Sequence, residues 1–487
     1  MIIEWGAREL AIAIRARQVS CREVMQAYLA QIARLNPRYN AIVSLQDPAD
    51  LLIQADHCDR VIASGASVGP LHGFPFAVKD MAATRGIPTT FGSPILKNNV
   101  PTNDAIFVER VKRAGAIIIG KTNTPEFGLG SHTYNRVFGT TANAYDPSRS
   151  AGGSSGGAAV ALALRMLPVA DGSDFSGSLR NPAGWNNVYG LRPSMGRVPS
   201  GPGPEAFYSP QFGTDGPMAR SVEDVALLLS IMAGRDKRAP LSIAEDAAQF
   251  TTRLDTDPRG LRIAWLADLG GAVPIEPEVL ALGERAGRVF ESLGCQVEAA
   301  TLGYSIDELW ATWLPLRHFI AGGRIRHHYD KPAERALMKP AAIWEVEQAH
   351  GIHALTLYHA SQRRTAWYQH ILKLFERYDA LMLPSAQLAA FDARWDWPKA
   401  INGVAMDSYL RWMQIVTPIT LAGVPALGMP VGFTAGGTPA GGTPPGGTPI
   451  GMQLVGRPQA ELGLLRLAYA YEKATEWTSR VRPAVLG

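Results

Sequence analysis

Hydrophobic positions near the start of the chain recur with the period of a helix. Ser20 opens the run Ser-Cys-Arg-Glu, with Glu23 three residues on, and Val24, Tyr28, Ile32 and Leu35 follow at helical spacing. A hydroxyl at the N-cap and a glutamate at N3 can each satisfy an otherwise unpaired backbone N–H, so the pattern predicts an amphipathic helix beginning there. Further on, the period gives way to short continuous apolar runs. Residues 73–78 and the β-branched run 116–119 have the length of buried strands, and residues 104–114 between them read as a helix. The alternation returns downstream, with strands over 261–266 and 295–302 flanking a helix over 278–293. Such alternation predicts an α/β fold, a mixed and mostly parallel twisted sheet with helices on both faces. No long linker divides the chain, so one domain over residues 1–487 is expected.

Two segments break this texture. Residues 310–412 hold seven of the eleven tryptophans, together with Phe319, Tyr358, Phe375 and Phe391. Such a density of aromatics suits either an apolar substrate pocket or plain core. Residues 436–449 repeat Gly-Gly-Thr-Pro at a five-residue step. Proline removes a backbone donor and glycine adds entropy to the unfolded chain, so a surface loop is expected.

Composition narrows the class. The chain has 487 residues, 46% apolar and 18% charged, which is enough to build a large core and argues against disorder. The net charge is only +4, and no run of five or six basic residues exists to follow a phosphate backbone, so nucleic acid is not expected as a partner. Cys21, Cys58 and Cys295 are odd in number and lack metal-ligand or Cys-x-x-Cys spacing, which reads as free thiols in a reducing compartment. The first ten residues carry Glu4 and Glu9 and do not form a signal peptide. The longest apolar stretch, residues 158–170, is shorter than a membrane span and contains Arg165. A soluble, cytoplasmic protein without a membrane partner is the expectation.

Three short motifs compete for the chemistry. Residues 115–122, Gly-Ala-Ile-Ile-Ile-Gly-Lys-Thr, match the phosphate-loop pattern by letter. That loop needs flexible residues between its glycines and a helix after them, whereas three isoleucines favour a strand and Thr124-Pro125 follows. Residues 151–157, Ala-Gly-Gly-Ser-Ser-Gly-Gly, contain Gly-x-Ser-x-Gly centred on Ser154 and again on Ser155. A nucleophile elbow requires a strand before it, and the preceding Ala-Tyr-Asp-Pro-Ser-Arg-Ser reads as turn. The third is a second Gly/Ser-rich run, residues 172–183, whose small residues and successive N–H groups could form an oxyanion hole or simply a turn.

Lys79 distinguishes these readings. It ends the apolar run 73–78, where an ammonium must either reach water or lose its proton. A lysine of depressed pKa can act as a general base toward a serine. Lys79 followed by Asp80, then Gly-Gly-Ser-Ser-Gly-Gly, then Gly-Ser-Asp-Phe-Ser-Gly-Ser-Leu-Arg-Asn-Pro-Ala, resembles the amidase signature family. The runs Gly-Lys-Thr-Asn-Thr-Pro-Glu-Phe-Gly and, at residues 451–458, Gly-Met-Gln-Leu-Val-Gly-Arg-Pro are similar to that family too. The likeness extends from the first helix nearly to the C-terminus and is densest over residues 73–200.

The resemblance implies that family's fold and a Ser-Ser-Lys triad. Lys79 would be the base, Ser154 the relay serine on a cis peptide, and Ser178 the nucleophile that carries the acyl group. Backbone N–H groups of Phe175, Ser176, Gly177 and Ser178 would form the oxyanion hole. Ser155 would support the triad, and Asp174 and Arg180 would brace the loop. No cofactor or metal is implied, and a homodimer would be compatible. Where the family commonly has a glycine pair before the nucleophile, this chain has Ser176-Gly177, and Phe175 is bulkier than the usual residue. The function implied is an amidohydrolase acting on small amides, anilides, carbamates (a urethanase) or esters. Two alternatives are the amidase component of a tRNA-dependent amidotransferase and a catalytically idle binding relative.

Overall fold

Ser20 caps the first long helix, α1 (Cys21–Tyr39). Its Oγ accepts from the Glu23 N–H at 3.1 Å, and its own N–H donates to Glu23 Oε2 at 2.8 Å. Val24, Tyr28, Ile32 and Leu35 are all buried, so the periodic face is the packed face. The computed structural model describes residues 1–435 and 447–487. Most of the expected Gly-Gly-Thr-Pro loop, residues 436–446, therefore lies outside the described residues. Its flanks meet where the Thr434 N–H donates to the Thr448 carbonyl at 2.9 Å.

The apolar runs form two sheets. A three-stranded sheet contains β1 (Ile42–Val43), β2 (Pro75–Lys79) and β3 (Ile117–Thr122) in the order β1-β3-β2. The larger sheet has eight strands among the described residues. In chain order these are β4 (Val169–Asp174), β5 (Tyr189–Arg192), β6 (Thr214–Ala219), β7 (Arg262–Trp265), β8 (Gln296–Ala299), β9 (Ala380–Pro384), β10 (Ala426–Phe433) and β11 (Pro449–Gly456). They lie in the order β8-β7-β9-β11-β10-β5-β6-β4.

The sheet is mixed as expected, but less parallel than the alternation suggests. Only β8 with β7 and β7 with β9 run parallel; the other neighbours are antiparallel. The reason lies in the connections. A parallel pair needs a crossover, and helices supply one where alternation is visible in sequence: α2 (Ile106–Arg113) joins β2 to β3, and α4 (Pro277–Ser292) joins β7 to β8. The pairings β10 with β11 and β4 with β6 are antiparallel returns, which periodicity does not reveal.

Between the two sheets runs α3 (Gly156–Ala163), whose eight residues are all buried. A helix of glycine, alanine, valine and leucine without a polar face can only sit inside. The phosphate-loop lookalike is the strand β3, and its Lys121 Nζ donates to the Ala82 carbonyl (2.7 Å), Thr84 Oγ1 (2.9 Å) and Thr89 Oγ1 (3.2 Å). No helix among the described residues is long and apolar enough to cross a membrane.

Candidate active site

The site forms where β2 meets β4. The Lys79 N–H donates to both carboxylate oxygens of Asp171, at 3.1 and 3.3 Å, tying the end of the small sheet to the edge of the large one. The Lys79 side chain is buried. Its Nζ lies 2.8 Å from Ser154 Oγ, 2.9 Å from Ser155 Oγ, 3.0 Å from Ser173 Oγ and 3.3 Å from the Ser173 carbonyl. An ammonium has three protons for these four oxygens, whereas a neutral amine has a lone pair that can accept from a serine hydroxyl. Burial pushes the Lys79 pKa down from 10.5 to about 7, against the opposing pull of Asp171, Asp215 and Asp174.

The two Gly/Ser-rich runs converge on this amine. The first enters α3 through the cis peptide Gly153–Ser154. The second leaves β4, and the Ser155 N–H donates to the Ser178 carbonyl at 3.2 Å, joining the runs. Close approach is the reason for Gly172: a Cβ there would sit 2.7 Å from Ser155 Oγ.

A buried ionic brace shapes the loop after β4. Asp174 Oδ1 accepts from the Gly177 N–H (2.9 Å), Arg180 Nη2 (2.9 Å) and Arg192 Nη1 (3.2 Å), and Oδ2 accepts from the Leu179 N–H (3.1 Å) and Arg180 Nε (3.0 Å). Burial opposes the Asp174 charge, but the two guanidiniums and these amides hold its pKa well below the usual carboxylate range. Arg180 also donates to Gln453 Oε1 at 2.6 Å and Thr420 Oγ1 at 3.0 Å, which links the brace to β11. The expected Asp174–Arg180 pair is therefore present as one part of a larger network.

The four amides expected to make an oxyanion hole divide. Gly177, held at φ +87°, turns its N–H back to Asp174 and so has no free donor. The N–H groups of Phe175, Ser176 and Ser178 have no partner among the described residues. Ser178 Oγ likewise makes no hydrogen bond among the described residues, so Lys79–Ser154 is joined and Ser154–Ser178 is not. Catalytic hydrogen bonds commonly tighten only when substrate is bound.

Lys79, Ser154, Ser176 and Ser178 share the wall of a cavity of about 930 Å³. Met81, Phe91, Leu96, Phe127 and Ile320 give it apolar lining, and Arg317 and Arg324 line it as well. Among the described residues no tryptophan lines it. The segment 310–412 does contribute through α5 (Ile306–Tyr329), but Trp310, Trp313, Trp367 and Trp412 are packed into the core. Trp313 lies behind Phe175, with ring centroids 5.6 Å apart, and Arg317 stacks on the same phenyl ring at 4.8 Å. These four tryptophans fill core space, whereas Phe319 of the same segment lines the cavity itself and Trp395 and Tyr358 are exposed.

Sequence alone does not mark Ser173, Asp171 and Arg192 as site residues. A strand over residues 169–174 would have exposed the first two, because alternate residues of a strand share a face. Glycines and serines in that stretch read as turn instead. Asp171 carries a testable consequence: Asp171→Asn keeps an acceptor for the Lys79 N–H but removes a negative charge that favours the ammonium. The Lys79 pKa should fall further, and the acid limb of the kcat/KM profile should move to lower pH. An acid limb that stays in place or moves upward would contradict this coupling.

The chain matches the family model described as Amidase over residues 23–465. It is 33% identical to an acylamidase of Rhodococcus erythropolis over 99% of this chain and 98% of that one. It is 34% identical to a glutamyl-tRNA(Gln) amidotransferase subunit of Thermosynechococcus vestitus, covering 96% of this chain and 98% of the relative. Among solved structures, a bacterial aryl acylamidase of the amidase signature family superposes with a TM-score of 0.87 at 30% identity, covering 98% of each chain. With the fold, the matched residues and these relatives in agreement, the chain belongs to the amidase signature family and is an enzyme that hydrolyses carbon–nitrogen bonds other than peptide bonds.

Proposed function

We propose that this chain is a free-standing amidohydrolase of small amides, anilides and carbamates, with esters as further substrates, working through Ser178, Ser154 and Lys79. The observation that carries the reading is a buried lysine, poised near neutral pKa, 2.8 Å from Ser154 at the wall of the cavity that also holds Ser178.

The proton inventory of the site suits this chemistry. Neutral Lys79 accepts the Ser154 proton while Ser154 takes the proton of Ser178, and Ser178 Oγ bonds to the substrate carbonyl carbon. The carbonyl electron pair moves to oxygen, where the free N–H groups of Phe175, Ser176 and Ser178 can meet it. Donors of this kind are worth about 3–4 kcal/mol each in the transition state. Collapse of the tetrahedral centre breaks the C–N bond, and the proton held by Lys79 returns through Ser154 to the departing nitrogen. Water then repeats the sequence on the acyl-enzyme. Ser155 and Ser173 hold the Lys79 amine in place throughout.

A fluorophosphonate probe tests the nucleophile, and a turnover screen over aliphatic amides, anilides, carbamates, esters and glutamine tests the class. The adduct should map by mass spectrometry to the peptide containing Ser178, and anilides or carbamates should be turned over. An adduct on Ser154 or Ser155 would overturn the assignment. Ammonia released from glutamine alone would point instead to the amidotransferase reading, and no labelling with no turnover to an idle relative.

A further inference from the structure

The cavity wall contributed by α5 carries two arginines two helical turns apart, about 10 Å along the axis. Arg317 is neutralised within the protein. Its Nε donates to Glu345 Oε1 at 3.0 Å and its Nη2 to the Tyr409 hydroxyl at 3.0 Å, while its plane covers Phe175. Arg324 faces the same cavity and stays accessible there, yet it donates no hydrogen bond and has no carboxylate within 4.0 Å among the described residues. Arg180 and Arg192, buried in the core, have side-chain or carbonyl acceptors, whereas Arg324 is solvent-exposed and lines the cavity. Five N–H donors in a planar fork, left open toward a largely apolar chamber, form an incomplete recognition element.

Asp215 defines where that element can act. It pairs with Ser173 across the β4–β6 ladder, and directly opposed residues project to the same face, so its carboxylate lies on the Lys79 side of the site. Asp215 also lines the cavity, and no side-chain hydrogen bond holds it among the described residues. Lys79, Asp215 and Arg324 line the same cavity, so the guanidinium and the triad open onto one space. An anion close to Asp215 is repelled, whereas one at Arg324 is attracted. A single negative charge on a short spacer fits this arrangement, and a cavity of about 930 Å³ has room for it beside a scissile amide.

We propose that Arg324 is the binding point for a carboxylate carried by the substrate, so that the preferred amides bear a carboxylate some bonds away from the scissile carbonyl. This rests on the amidase reading above. The carboxylate can belong to the acyl part or to the amine part, and the two arrangements need different probes.

Binding is measured by calorimetry in the Ser178→Ala protein, so that turnover does not interfere. Succinanilate and its uncharged analogue butyranilide test the acyl side; N-butanoyl-4-aminobenzoate and butyranilide test the amine side. One carboxylate ligand should bind about 10- to 100-fold more tightly than its uncharged partner, as a charge-assisted bidentate contact would give. Arg324→Met in the same background should erase that preference and leave butyranilide binding unchanged. Equal binding of charged and uncharged ligands in both arms overturns the proposal, as does a preference that survives in Arg324→Met. Should that variant not fold, loss of the preference with rising salt supports the contact, and a salt-independent preference overturns it. Turnover of butyranilide by the unmutated enzyme is scored separately: its absence counts against the amidase reading, while the binding comparison still decides the role of Arg324.

Discussion

Lys79→Ala should fold and bind substrate yet turn it over between about 100-fold and 10,000-fold more slowly, the span over which a positioned general base acts. The amine touches three hydroxyls and one carbonyl, so its removal deletes the only base hydrogen-bonded to Ser154 among the described residues. Lys79→Arg should be equally inactive, because a guanidinium keeps the cation but cannot take a proton at working pH. In the unmutated enzyme kcat/KM should rise with pH through about 7 and then level, as the amine loses its proton. Stability follows the same sign. The folded pKa of Lys79 lies below its ordinary 10.5, so folding releases a proton between that value and about 7, and this contribution to stability falls as the pH drops through the interval. Lys79→Ala removes the burden and should unfold no earlier than the parent at neutral pH. A folded Lys79→Ala protein with normal turnover would refute the proposed mechanism.

Asp174→Ala should lose about 3–5 kcal/mol of stability, because it leaves buried charges without their partner. Arg180 and Arg192 are both fully buried, and Asp174 is the carboxylate that bridges them. Gly177 and Leu179 would lose their acceptor as well, so the backbone that presents Ser178 would be free to move. Activity should fall even where the variant folds. Asp174→Asn, which keeps one acceptor oxygen but not the charge, should lie between the two in urea unfolding. An Asp174→Ala protein as stable as the parent would show that the brace is dispensable.

Much of this site is local in sequence, which explains how far it could be read. Ser154, Ser155 and Ser178 stand in two Gly/Ser-rich runs fewer than thirty residues apart, and Lys79 ends an apolar run that becomes β2. The helices and strands around 73–122 and 261–302 were legible because their periods are clean and their crossovers are short. Antiparallel returns left no such signal, and the sheet is accordingly less parallel than expected. Tryptophan density was ambiguous for a related reason: a side chain behind the cavity wall and one on it have the same composition, and only packing separates Trp313 from Phe175.

The class of fold and the candidate triad are carried by short local runs, the apolar run ending in Lys79 and the two Gly/Ser-rich runs, whose order along the chain resembles the amidase signature family. Three-dimensional packing was needed to learn that Lys79 is dehydrated, that Ser173 joins its shell, that Gly177 turns its N–H toward Asp174, and that Arg324 faces the chamber unpaired among the described residues. Burial, hydrogen-bond direction and the lack of a partner belong to the space between segments distant in the chain. Two arginines on one helix, Arg317 and Arg324, are alike in sequence and differ because Glu345, Tyr409 and Phe175 hold the first in a buried site while the second is exposed.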